Sequence, residues 1–458
     1  MTYTIDKNTF ENYFITNESF KHNSGNYFKL FPYVTSPNVD FSKLESVLGQ
    51  VLCKIQKIEP EIKAEEDIIN DIVSETDVEL GLEEEFREVI KQLFFESSGK
   101  LRPLNLMMIE QNECHESSEK RLAEYLGDVL GDAEVLQASI ESAKSSLQSA
   151  SNVLESLLYS KLTTRTANVA SRNNYFRVVD GLHKKFEDDF SYILSSDART
   201  RENLLKLFEF YYFSYTAQTF LQLNRMFDGE RERNVPLYFS LEWEATKIHG
   251  KYITEGWNIL QETIQDAYSH AVVLEMLNVN NNDSQMDYIA IRKYLEEHPD
   301  ENTALKSRID ELCKLYADHI SDCPLLDSVI QEEVSEDTED SINLLYRLVK
   351  TQFDNTSRGA ASGRYSDKFE DYCMQFLKNR GRNGYVLNIS EDTLIFLTKV
   401  SIKENEKMKL SDVFKEFESR GVFLEKEVKE QVADYYERLN LIEKKSDSGD
   451  AKYVKRIL

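Results

Sequence analysis

Residues 129–157 read VLGDAEVLQASIESAKSSLQSASNVLESL. Within them Val129, Ala133, Leu136, Ile140, Ala143, Leu147, Ala150, Leu154 and Leu157 are separated alternately by four and three positions. A 3.5-residue period places all nine on one helical face, the heptad pattern of a coiled coil. The spacing predicts one helix over residues 129–161, on the order of 45 Å long at 1.5 Å per residue. Alanine at alternate seam positions would let a second helix approach closely. Leu147 and Leu154 are the seam residues expected to meet a partner, unless the arm closes on its own chain as part of a helical bundle.

The same helical period continues on both sides. Leu44, Val47, Leu48, Val51, Leu52 and Ile55 share a face, as do the apolar residues of 67–73 and 83–95, with acidic residues opposite. Residues 199–227 form another expected helix, rich in aromatics (Phe208, Tyr211, Tyr212, Tyr215, Phe220). Both tryptophans, Trp243 and Trp257, follow within residues 235–257, an expected packing hub and a candidate partner surface. Residues 1–40 are aromatic and polar and are expected to pack on a helical body spanning 41–354. Residues 355–366, NTSRGAASGRYS, have no apolar period and are expected to be a linker to a module at 367–458.

Composition agrees with a mainly α fold. The 458 residues include only 16 glycines and 7 prolines, little punctuation for a β-rich chain. No run of about 18 apolar residues predicts a membrane span, and the first 20 residues lack the basic and apolar regions of a secretory signal. Five unpatterned cysteines suit a reducing, cytoplasmic setting. The net charge of −26 excludes a chain that coats nucleic acid over its whole surface.

That charge is uneven. Residues 378–458 hold 17 basic against 15 acidic residues, whereas the rest holds 38 against 66. Within this non-acidic end, Ser390, Ser411 and Glu425 each open an expected helix, and 441–457 an expected hairpin. Three helices and a hairpin predict a winged helix, a helix-turn-helix with a β-wing. Lys444, Lys445, Lys452, Lys455 and Arg456 on the wing, with Arg380 and Arg382 on the preceding loop, are the candidate phosphate contacts to double-stranded DNA. The third helix is acidic (Glu425, Glu427, Glu430, Asp434, Glu437) and is expected to avoid the major groove.

Catalytic patterns are weak. Gly99-Lys100 and Gly250-Lys251 lack the Ser or Thr and the second glycine of a P-loop, so nucleotide hydrolysis is not expected. Asp40 with Glu61 and Lys63 has the residue types of a metal-dependent nuclease without its strands. Arg292 and His298 have the spacing of some helical ribonucleases. Neither a catalytic residue, a cofactor nor a metal site is expected.

Asn26-Tyr27-Phe28-Lys29-Leu30-Phe31-Pro32-Tyr33, the Leu-Glu-Trp-Glu and Gly-Trp elements of residues 237–257, and the total length resemble the DptG (DndG) family, a component of the bacterial phosphorothioation-dependent DNA restriction system. The resemblance spans the chain but carries no active-site residue. It implies a non-motor subunit working with two ATPase-type partners, DptF and DptH, against DNA that lacks the sulfur modification.

Overall fold

The computed structural model describes residues 3–167, 174–196, 200–244, 249–279, 284–332, 335–444 and 452–457, and these are mainly helical. Two units emerge, one built from residues 43–171 and 183–212, the other from 1–42, 172–182 and 213–458.

In the first unit, helix Leu44–Gln56 buries the predicted face, Leu44, Val47, Leu48, Val51, Leu52 and Ile55. It packs along Ser117–Val129, which contributes Leu122, Ala123, Leu126 and Val129. Gly49 permits the contact: a Cβ there would stand 2.2 Å from the carbonyl oxygen of Ile109, closer than any side chain allows.

The single helix expected over 129–161 is not formed. The chain instead makes Ser117–Val129, Ala133–Ala150 and Val153–Lys161. Asn152 accounts for the second break. Its side chain accepts from the Glu155 N–H at 2.9 Å, and the Glu155 carboxylate accepts from the Asn152 N–H at 3.0 Å. This reciprocal capping box starts a new helix, and it outweighs a seam whose spacing runs through it unchanged. The seam is consequently divided. Leu136, Ile140 and Ala143 are buried, and Leu147 is only half-buried. Leu154 and Leu157 pack with a separate cluster of Ile68, Ile72, Ile90, Phe94 and Leu158. Leu154, expected to face a partner, is thus engaged within its own chain.

The second unit is centred on Ala267–Leu277, every residue of which is buried. Thr338–Asn355 and Gly359–Cys373 pack against it. The aromatic N-terminal segment closes over this core, burying Phe10, Phe14, Phe20, Phe28, Phe31 and Tyr33. Its anchor is Glu275, fully buried on the central helix. The carboxylate accepts backbone N–H groups from Gly25, Asn26, Tyr27 and Phe28 at 2.8 to 3.1 Å, and the Tyr13 hydroxyl at 2.8 Å. A buried charge is tolerable only when its lone pairs are met, and here five donors meet them.

Residues 355–366, expected as a linker, are helical from Gly359 onward, with Ser362, Tyr365 and Ser366 buried. The Arg364 Nε donates to the Thr35 carbonyl at 2.7 Å. Small residues that suit a flexible linker equally suit a helix packed closely on its neighbours, and packing decides between them here. Both sides of residue 360 lie in the same unit.

Toward the C-terminus, Ser390 caps Glu391–Ile402 by accepting from the Thr393 N–H at 3.1 Å. Strand Lys407–Lys409, helices Leu410–Ser419 and Lys426–Arg438, and strands Ile442–Lys444 and Lys452–Lys455 follow. The last strand lies in the middle of an antiparallel three-stranded sheet, paired with Lys407–Lys409 on one side and Ile442–Lys444 on the other. Leu394, Leu397, Val400, Val413, Phe417, Val428, Val432, Tyr436 and Val454 form the core of this region. Gly421 turns the chain between the second and third helices at φ +85°. The fully buried Arg420 beside it donates to the Glu416 carboxylate at 2.7 Å and the Val400 carbonyl at 3.1 Å, tying the first two helices together.

This C-terminal region is continuous with the segment that carries Trp243. Phe239 N–H donates to the Phe423 carbonyl and Phe423 N–H to the Leu237 carbonyl. Strand Ser240–Leu241 runs parallel to Tyr385–Ile389, which also pairs with Leu377–Asn379. Trp243 stacks on Tyr435 of the third helix, ring centroids 4.6 Å apart, and Trp257 is 5% exposed. Trp257 is thus buried in the fold, whereas Trp243 stays half-buried beside Tyr435.

Candidate nucleic-acid interface

The three-stranded sheet determines what the basic residues can do. Successive side chains on a strand alternate between faces, and directly opposed residues share a face. Val454, opposite Met408 and Ile442, points into the core. Tyr453 and Lys455 therefore point the other way, with Lys409 opposite Tyr453 and Lys407 opposite Lys455. The outer face thus carries Lys407, Lys409, Tyr453 and Lys455, together with Glu443, which is also opposite Tyr453.

One like-charged pair is built into this register: Lys455 opposes Lys407. Directly opposed like charges destabilise a sheet, by roughly 0.2–1 kcal/mol per pair. Part of the charge is offset locally. The Lys407 ammonium donates to Glu443 at 2.7 Å, which raises its pKa above the usual lysine value, and it lies 5.9 Å from the centre of the Tyr453 ring. Lys452 pairs with Glu437 at 2.9 Å and Arg456 with Glu404 at 3.2 Å. Lys455 is exposed, donating to the Asn440 carbonyl at 3.3 Å, and Lys409 is exposed on the neighbouring strand.

The seven basic residues singled out in the sequence therefore separate. Lys455 and Arg382 are exposed. Lys452 and Arg456 pair with carboxylates whose side chains are 36% and 69% exposed, a weak claim on their charge. Lys444 lies on the second strand, its side chain outside the described residues, as is Lys445 altogether. Arg380 is a correction. It is 7% exposed, and its guanidinium donates to the Glu244 and Leu241 carbonyls at 2.5 Å each. Its charge holds residues 241–244 against the 380 turn and is not presented to solvent. Lys407 and Lys409 were missed, although the Lys-Met-Lys alternation at 407–409 marks a strand with both lysines on one face.

The third helix exposes Lys426, Glu427, Glu430, Asp434 and Arg438, a face with more acid than base. Other constellations resolve into local contacts. Arg292 is held by Glu339 and Asp228 at 2.6 to 2.9 Å. Lys63 pairs with Asp71 at 3.1 Å, and the Asp40 carboxylate accepts from Ser42 at 2.6 and 2.8 Å. Cys313 donates to the Ser341 carbonyl within its helical packing. No protein-family model and no curated protein matches the chain.

Proposed function

We propose that the chain is a non-catalytic, DNA-contacting adaptor subunit of a phosphorothioation-dependent restriction complex, with its C-terminal region acting as a winged helix. The observation that carries the DNA contact is the outer sheet face, where Lys407, Lys409 and Lys455 gather in a chain whose net charge is −26. Sheet lysines that oppose one another on the fold's own terms gain a reason when a polyanion lies across them. The helix order and the strand order Lys407–Lys409, Lys452–Lys455, Ile442–Lys444 support the winged-helix reading. The family, the restriction setting and the ATPase partners DptF and DptH rest on the resemblance in residues 26–33 and 237–257.

The acidic third helix supports contact by the wing and sheet rather than by a helix in the major groove. It also favours a second reading, in which that helix docks a basic surface of a protein partner and the chain is a scaffold. Full-length protein and a fluorescent duplex, titrated by anisotropy across salt concentrations, separate the two. The adaptor binds, with log K falling linearly against log salt. No binding at low salt by the intact protein would remove DNA contact and leave the scaffold.

A further inference from the structure

In the unit formed by residues 43–171 and 183–212, three potential ligands converge where two helices meet. His183 and Glu187 stand four positions apart, hence on one face, of helix Gly181–Ser195. Asp132 is the N-cap of Ala133–Ala150. The His183 Nε2 lies 3.0 Å from the Glu187 Oε1 and 3.4 Å from the Asp132 Oδ1. One donor atom from each residue can be chosen so that all three lie within 4.8 Å of one another.

Asp132 behaves unusually for its position. Aspartate is among the preferred N-caps because its carboxylate accepts an orphan N–H of the first turn. Here the backbone is in the capping conformation, yet the side chain makes no capping bond and is turned to His183. The Asp132 backbone N–H in turn donates to the Glu187 Oε1 at 2.7 Å, so backbone and side chain together fix the corner around the imidazole. His183 is 7% exposed and the Glu187 side chain 14%, while the Asp132 side chain is 61% exposed. Two carboxylates converging on one imidazole are compensated by a cation among them, either a metal ion or the protonated ring.

We propose that Asp132, His183 and Glu187 bind a divalent first-row transition-metal ion, of which Zn²⁺ and Mn²⁺ are the probes. With bonds of about 2.0–2.2 Å, neighbouring ligand atoms in tetrahedral or octahedral coordination are about 2.9–3.5 Å apart, which matches the two spacings from the imidazole. One imidazole and two carboxylates suit these ions, whereas Mg²⁺ and Ca²⁺ favour all-oxygen sites. The solvent-facing side, at Asp132, leaves remaining coordination positions to water. The site joins the 131–132 corner to helix Gly181–Ser195 and is independent of the DNA contact.

The test is titration of the chelator-treated full-length chain with Zn²⁺ and Mn²⁺, followed by calorimetry and thermal melting. One equivalent should bind and raise Tm. Asp132→Asn, exposed and near-isosteric, and Glu187→Gln should each weaken binding by about tenfold or more with unchanged far-UV circular dichroism. Binding that both variants leave intact places the ion elsewhere and overturns the proposal. So does the absence of any metal-dependent rise in Tm while Asp132→Asn lowers stability in metal-free buffer, because the cluster is then an ion pair of imidazolium and carboxylates.

Discussion

Glu275 and the outer face of the C-terminal sheet treat charge in opposite ways. At Glu275 one carboxylate is fully buried and meets five donors of its own chain. At the sheet, Lys455 faces Lys407 across the strands, and its ammonium is exposed with a long contact to a backbone carbonyl. The first charge is consumed in holding the N-terminal segment on the core. The second stands opposite another lysine and is exposed. A charge completed inside the fold is architecture, and an exposed one is available to something else.

The largest expected effect is at the completed charge. Glu275→Leu strands four backbone N–H groups and the Tyr13 hydroxyl and should lower stability by about 4 kcal/mol in urea unfolding, with Glu275→Gln milder at about half that. A loss under about 1 kcal/mol would show that Glu275 does not anchor the N-terminal segment.

Buried titratable groups in the same unit should make it acid-sensitive. Burial pushes the His22 imidazole down to about 4 and that of His270 down to about 3. Folded, both refuse protons that the unfolded chain accepts below its ordinary value near 6.5. Their contribution is therefore fully present above that pH. It is lost on acidification toward pH 4, at about 1.4 kcal/mol per pH unit for each histidine. His270→Gln should flatten the slope of unfolding free energy against pH between 6.5 and 4, and an unchanged slope would refute the assignment.

On the available charge, Lys409→Glu with Lys455→Glu should weaken duplex binding about hundredfold at low salt, near 2.7 kcal/mol, and reduce the salt slope by about 2. The smallest effect is the sharpest. Lys455→Glu alone replaces a like-charged pair with an opposite one and should stabilise the fold by about 0.5 kcal/mol while weakening DNA binding. A substitution that improves the fold and harms binding separates a surface shaped for a ligand from one shaped for itself. Destabilisation instead would show that Lys455 is structural.

Much of the helical content was legible, because side-chain period reports on burial directly: the predicted face of residues 44–55 is the buried face. The helix order after Ser390 was legible for the same reason, with Ser390 itself as cap. Residues 129–157 misled because a heptad tests spacing alone, and three helices joined by short corners can keep the spacing. The Asn152–Glu155 capping box was the signal that the helix restarts there. Residues 355–366 misled because glycine, alanine and serine mean flexibility only where nothing packs on them. At the candidate interface, Arg380 could not be told from Arg382, since two positions along a turn decide whether a guanidinium meets carbonyls or water. Tertiary proximity was the hidden quantity at Glu275 as well, where residues some 250 positions apart meet.

DNA contact through the outer sheet face is tested by the salt dependence of duplex binding by the full-length chain, measured in parallel with its Lys409→Glu, Lys455→Glu variant. The native chain should weaken linearly on a log–log scale, and the variant's affinity should fall about hundredfold with a slope shallower by about 2. Equal affinity and equal slope for the two proteins would contradict it.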